Sequence, residues 1–144
     1  MNAERLLQNS RVIVGPETYS LVAVPYDEWQ KLLASPELSP RLTSPFMIFY
    51  DGREVTMLLD DTDFGTMRHA VRDAKIERAF RMLTFDIQLD FSVVGFMAVV
   101  SRILAEADVS IVALSAFSRD HLLIKQDDLA KTLKALGPFV AELC

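Results

Sequence analysis

Residues 83–91 read Leu83-Thr84-Phe85-Asp86-Ile87-Gln88-Leu89-Asp90-Phe91, with apolar and polar residues in unbroken alternation. Successive side chains of an extended chain point to opposite faces, so this period of two predicts a strand with one face buried and one wet. The period then changes. Phe96, Val99, Val100, Ile103, Leu104 and Ala107 recur at helical spacing and predict an amphipathic helix. Two apolar runs follow, Ile111-Val112-Ala113-Leu114 and Leu122-Leu123-Ile124, separated by Ser115-Ala116-Phe117-Ser118-Arg119-Asp120-His121. They read as strand, turn, strand.

The first part of the chain repeats that order. Residues 1–10 predict a short helical lead-in, and Val12-Ile13-Val14 an edge strand closed by Gly15-Pro16. Residues 19–24 predict a strand, and Asp27 an N-cap for a short helix with Trp29, Leu32 and Leu33 on one side. Residues 35–45, rich in proline and serine, read as a loop. Phe46-Met47-Ile48-Phe49-Tyr50, then Asp51-Gly52, then residues 54–59 form a hairpin pattern. Phe64, Met67 and Val71 predict another helix, and residues 72–81 a charged joint. In the second half Asp127-Asp128 would cap a last helix carrying Leu129, Leu133 and Leu136. Gly137-Pro138 would stop it, and Phe139-Val140 would add a closing strand.

Strand, helix, strand, strand, helix thus occurs twice, over residues 18–71 and 82–136. The expected fold class is α+β: two ferredoxin-like βαββα(β) units, with antiparallel sheets and helices on one face. The expected division is a lead-in at 1–15, an N-terminal half at 16–75 and a C-terminal half at 80–144. Neither half is comfortable alone, so shared or exchanged strands are expected.

Composition narrows the function. The 144 residues are 51% hydrophobic, ample for a core. The apolar surplus points to a covered surface, a subunit contact. No apolar run reaches the roughly 20 residues of a membrane span, and the acidic start lacks the apolar core of a secretory signal. The single cysteine, Cys144, has no intrachain partner, which fits a reducing cytoplasm. A net charge of −5 without a basic block argues against nucleic-acid binding.

No catalytic motif stands out. His69 reads as a surface or half-buried residue. His121 follows Asp120, but neighbours in a strand face opposite ways, so they are not a dyad. The run Asp60-Asp61-Thr62-Asp63 reads as helix capping rather than a metal site, since four adjacent residues cannot all converge on one ion. No cofactor or metal is expected. Binding has more support. The turn Asp90-Phe91-Ser92-Val93-Val94-Gly95 precedes a helix, whose N-terminus suits a carboxylate. Gly95 permits close approach to the backbone, and Asp120 offers a negative charge to an ammonium or guanidinium. The plain alternative is that Asp90 and Ser92 cap the helix while Asp120 turns a hairpin.

Three segments carry a family resemblance: residues 90–95 (D-F-S-x-x-G), residues 104–111 (L-A-x-A-x-[IV]-S-I) and residues 115–124 (S-x-[FY]-x-x-D-[HFY]-x-L-[VI]). In that order they resemble the ACT-domain superfamily, and more closely the tandem, aspartokinase-like ACT proteins that include the cytosolic arginine sensors. The first half departs from the pattern, with Thr56 in place of serine, an acidic run after its strand and a long Pro/Ser loop. The resemblance implies a non-catalytic regulatory module that binds a small molecule, an amino acid, between paired units. The backbone near Val94 and Gly95 would hold the ligand carboxylate, and Ser115, Phe117 and Asp120 would line the pocket. Asp90 and Ser92 complete the candidate set. A homodimer is expected, and output must pass through a protein partner. The alternative is a ligand-free adaptor acting through its sheet edges.

Overall fold

The computed structural model describes residues 2–144, and the chain divides into two compact units. Unit 1 comprises the described residues up to Pro16 together with Phe80–Cys144; unit 2 is Glu17–Ala79. The architecture is α+β, with mainly antiparallel strand pairs in a ferredoxin-like order.

Unit 1 begins with α1 (Ala3–Gln8), capped by the Asn2 side chain, which accepts from the Arg5 N–H at 2.8 Å. Then come β1 (Arg11–Val14) and the later part of β5 (Lys75–Asp86). After them follow α4 (Phe96–Glu106), β6 (Val112–Ser115), β7 (Asp120–Lys125), α5 (Leu129–Leu136) and the two-residue β8 (Glu142–Leu143). β7 pairs antiparallel with both β5 and β6, the ladder of a βαββα unit. β1 supplies the next strand: Val12 stands opposite Phe85, and Val14 opposite Leu83. β8 adds on its far side, in parallel. The segment expected as an edge strand is therefore interior, because a four-residue apolar strand gains most by pairing on both sides.

The alternation over 82–85 does its work here. Leu83 and Phe85 join Leu122 and Ile124 of β7 in one buried cluster, with Leu6 and Leu7 of α1, Phe96, Val100 and Leu104 of α4, and Leu136 of α5. Phe85 and Phe96 meet edge to face, with ring centroids 5.5 Å apart. The polar residues buried in this unit bond to helix carbonyls, as the Ser10 hydroxyl does to Leu6 and the Thr132 hydroxyl to Asp128, each at 2.8 Å.

Unit 2 runs β2 (Tyr19–Pro25), α2 (Tyr26–Leu33), β3 (Met47–Tyr50), β4 (Glu54–Asp60) and α3 (Asp61–Met67), then the first residues of β5. β4 pairs antiparallel with β2 and β3. Asp51 closes the hairpin by accepting from the N–H groups of Arg53 and Glu54, and Gly52 takes φ 93°. The core is Val22, Val24, Leu32, Val55, Met57, Leu59, Phe64 and Met67. Asp60 caps α3, its carboxylate accepting from the Asp63 N–H at 2.8 Å. That is the capping expected of the acidic run.

Several boundaries differ from the sequence reading. Pro25, not Asp27, is the N-cap of α2, because the helix starts directly on the strand; Leu33 is 61% exposed. Val71 lies beyond α3, after a single tight turn at Arg68–Ala70. Much of the charged joint is strand, since β5 begins at Lys75 and passes through Ala79 at φ 66°. β5 stops at Asp86 instead of running to Phe91. Asp128 precedes α5 without a side-chain cap bond. The closing strand is Glu142–Leu143, because Phe139 sits in a tight turn behind Pro138. Among the described residues no helix is long and apolar enough to cross a membrane.

Candidate functional site

β5 ends at Asp86 and α4 starts at Phe96, which leaves nine residues, 87–95, between them. This connection is held at both ends. The Leu89 N–H donates to the Ser118 carbonyl at 2.8 Å, tying it to the tip of the β6–β7 hairpin. The Asp90 carboxylate accepts from the Ser92 N–H at 2.8 Å, and the Val93 N–H donates to the Asp90 carbonyl at 3.0 Å. The Ser92 N–H and hydroxyl hold the Asp90 carboxyl below its ordinary pKa. Gly95 then takes φ 85°, a left-handed conformation that disfavours a side chain, and its carbonyl accepts the Val99 N–H at 3.1 Å. α4 begins without a side-chain cap.

The hairpin forms the opposite lip. Ser115 and Asp120 are a cross-strand pair, and the Ser115 hydroxyl donates to Asp120 Oδ1 at 2.7 Å. The Ala116 N–H donates to the Arg119 carbonyl at 2.9 Å, which closes the turn. Phe91 from one lip and Phe117 from the other meet edge to face at 4.9 Å, though both are more than three-quarters exposed. Two aromatic rings held that openly add exposed apolar surface to the lips.

Between the lips lies a cavity of about 270 Å³. Of the sequence candidates, Asp90, Gly95, Ser115, Phe117 and Asp120 line it. Ser92 and Val94 do not: Ser92 turns back to Asp90, and Val94 is 86% exposed outside the cavity. A Cβ built on Gly95 would meet nothing within 4 Å, so the backbone there faces open space. The sequence reading left out Phe91, Met97 and Arg119, which also line the cavity. Arg119 was visible only as an unassigned position inside the third motif. Its Nε lies 3.6 Å from Asp86, which also faces Arg11 at 3.8 Å.

The histidines lie elsewhere. Thr84 Oγ1 and His121 Nδ1 are 2.8 Å apart across the β5–β7 pair. Burial lowers the His121 pKa below its ordinary value; Asp120 opposes the shift and Arg119 adds to it. His69 is exposed in the turn after α3, in unit 2. In the acidic run, Asp60 and Asp63 are buried and engaged by Arg41. Its backbone N–H and Nε donate to Asp63 at 3.2 and 2.9 Å, and its Nη2 donates to Asp60 at 3.0 Å. Ser44 adds a hydroxyl bond to Asp60 at 2.6 Å. Among the described residues no group of three or more His, Cys, Asp or Glu is placed to hold a metal ion.

Residues 75–137 match the family model of the ACT domain. No curated protein matches the sequence. A crystal structure of a protein from Agrobacterium tumefaciens is similar with a TM-score of 0.74 and 18% identity, covering 94% of this chain and 92% of that one. A Vibrio cholerae protein described as a possible transport protein is similar at 0.70 and 21%, covering 94% of each chain. The ligand-free regulatory subunit of aspartate kinase from Thermus thermophilus is similar at 0.65 and 10%, covering 92% of this chain and 98% of that one. At these identities the likeness is one of fold.

Proposed function

We propose that this chain, which carries an ACT domain over residues 75–137, is a non-catalytic regulatory module that holds an amino acid in the cavity of unit 1. The observation that carries the reading is the pairing of chemistries across the cleft. On one side stand the N-terminus of an eleven-residue helix and the open backbone of Gly95, suited to a carboxylate. On the other stands Asp120, suited to an ammonium group. Phe91 and Phe117 offer a face to the ligand's side chain. The fold shared with an aspartate kinase regulatory subunit supports the same reading. In this reading the module acts as a homodimer and relays its ligand signal through a protein partner.

A ligand that binds only the folded state stabilises it by about 2.7 kcal/mol at a hundredfold excess over Kd. A thermal-shift screen of the common amino acids should therefore find at least one that raises the melting temperature. Asp120→Ala should abolish that rise while melting near wild type without ligand. If no amino acid shifts the wild type, or if the rise survives in Asp120→Ala, the assignment fails.

One observation favours the adaptor reading. Ile48, Phe49 and Tyr50 of β3 are 38%, 59% and 51% exposed, and within unit 2 this strand pairs only with β4. Such an edge suits addition of a partner's strand.

A further inference from the structure

Unit 2 holds a second cavity, of about 130 Å³, which is more apolar than the first. Met57, Leu59 and Met67, each 2% exposed, line it from the unit's own core, and Trp29 and Leu32 line it from α2. The chain after α2 contributes Pro36, Leu38, Ser39 and Pro40. No lining residue is charged.

The cavity has a physical origin. α2 is eight residues long and ends at Leu33, and a tight turn at Pro36–Leu38 follows. A proline there cannot extend the helix. Met57 and Leu59 are thus covered by a loop where another helical turn would have packed side chains. Apolar contacts alone would draw such a loop into the void, since unfilled apolar volume is costly. Arg41 holds the loop instead, through its three bonds to the buried carboxylates of Asp60 and Asp63.

We infer that this cavity is a binding site for a single small uncharged aromatic ring. Its volume is close to the ~150 Å³ of apolar cavities that take up benzene. With no charged group in the lining, a charged ligand would lose its hydration without compensation. Two methionines and a tryptophan favour a ring, through sulfur–aromatic and ring–ring contacts. Leu33 and Ile48, 61% and 38% exposed, stand in the lining and open it to the surface.

Trp29 is the sole tryptophan of the chain and reports on the site directly. Titrating toluene into the full chain should change Trp29 emission saturably and raise the melting temperature; benzoate over the same range should do neither. Ile48→Phe, which fills the mouth from a partly exposed strand position, should lose the saturable change. If that variant misfolds by circular dichroism, Ser39→Leu narrows the site from the loop side and should give the same loss. A response that never saturates, an equal response to benzoate, or an undiminished response in a folded filled variant overturns the inference.

Discussion

In unit 2, β2 ends at Pro25 and α2 begins at Tyr26 with no residue between them; in unit 1, nine residues separate β5 from α4. The units share an order of elements, but that one connection decides which can form a cleft at the helix N-terminus. Unit 1 has a loop long enough to reach its neighbouring hairpin, with Leu89 bonded to Ser118 and Phe91 edge to face with Phe117. In unit 2 the hairpin carboxylate, Asp51, lies in the turn itself and accepts from the N–H groups of Arg53 and Glu54. Helix length differs as well. Eleven-residue α4 buries Phe96, Val100 and Leu104, whereas eight-residue α2 buries Leu32 and leaves a cavity beside it. The same fold thus yields a cleft with charged groups in its lining in one unit and an uncharged, apolar-lined cavity in the other.

This contrast can be broken by mutation. Leu104 is fully buried on the inner face of α4, so Leu104→Ala should cost about 3–5 kcal/mol in denaturant unfolding. Leu32 already borders a void, so Leu32→Ala should fall below that range, at about 2 kcal/mol. An equal or reversed order would contradict the packing difference.

The helix-leading acids give a second contrast. Asp60→Ala should cost about 2–3 kcal/mol, since it removes the α3 cap and leaves Ser44 and Arg41 short of a partner. Burial acts to raise the Asp60 pKa, but the Asp63 N–H, the Ser44 hydroxyl and Arg41 outweigh it, and the net shift is downward. The depressed folded value means this stability is present above the ordinary carboxylate pKa of about 4 and is lost as pH falls through the folded pKa. Asp90→Ala in the exposed turn of unit 1 should change stability far less. Comparable losses in the two variants would show that the turn at Asp90 is structural.

A smaller effect belongs to unit 1 alone. The His121 pKa is depressed, so its folded state takes up protons less readily than the unfolded chain. Stability should be full above about pH 6.5 and decline as pH drops below it. His121→Gln should flatten that decline in a pH series of melting temperatures. An unchanged slope would assign it to other groups.

How much of this was legible in sequence depends on the range of the interaction. The helix α4, the Asp51-Gly52 hairpin and the motifs at 90–95 and 115–124 are local patterns, and they place five of the proposed residues along one cavity. The end of β5 was not legible. Ile87 and Leu89 continue the alternation because they pack against the core as a loop, not because they pair. The fate of β1 was equally hidden: nothing in Val12-Ile13-Val14 says that its partners are Phe85, Thr84 and Leu83. A connection of nine residues versus none is a matter of where strands stop, which periodicity reports least well.

The proposed ligand site lies between the two turns of unit 1. Backbone amide chemical-shift mapping tests it most directly, using the amino acid that gives the strongest thermal shift. Perturbations should concentrate at Gly95, at the first turn of α4 and at residues 115–120, with Asp51, Gly52 and Arg53 unmoved. Perturbations centred on the unit 2 hairpin, with residues 90–95 and 115–120 silent, would contradict it.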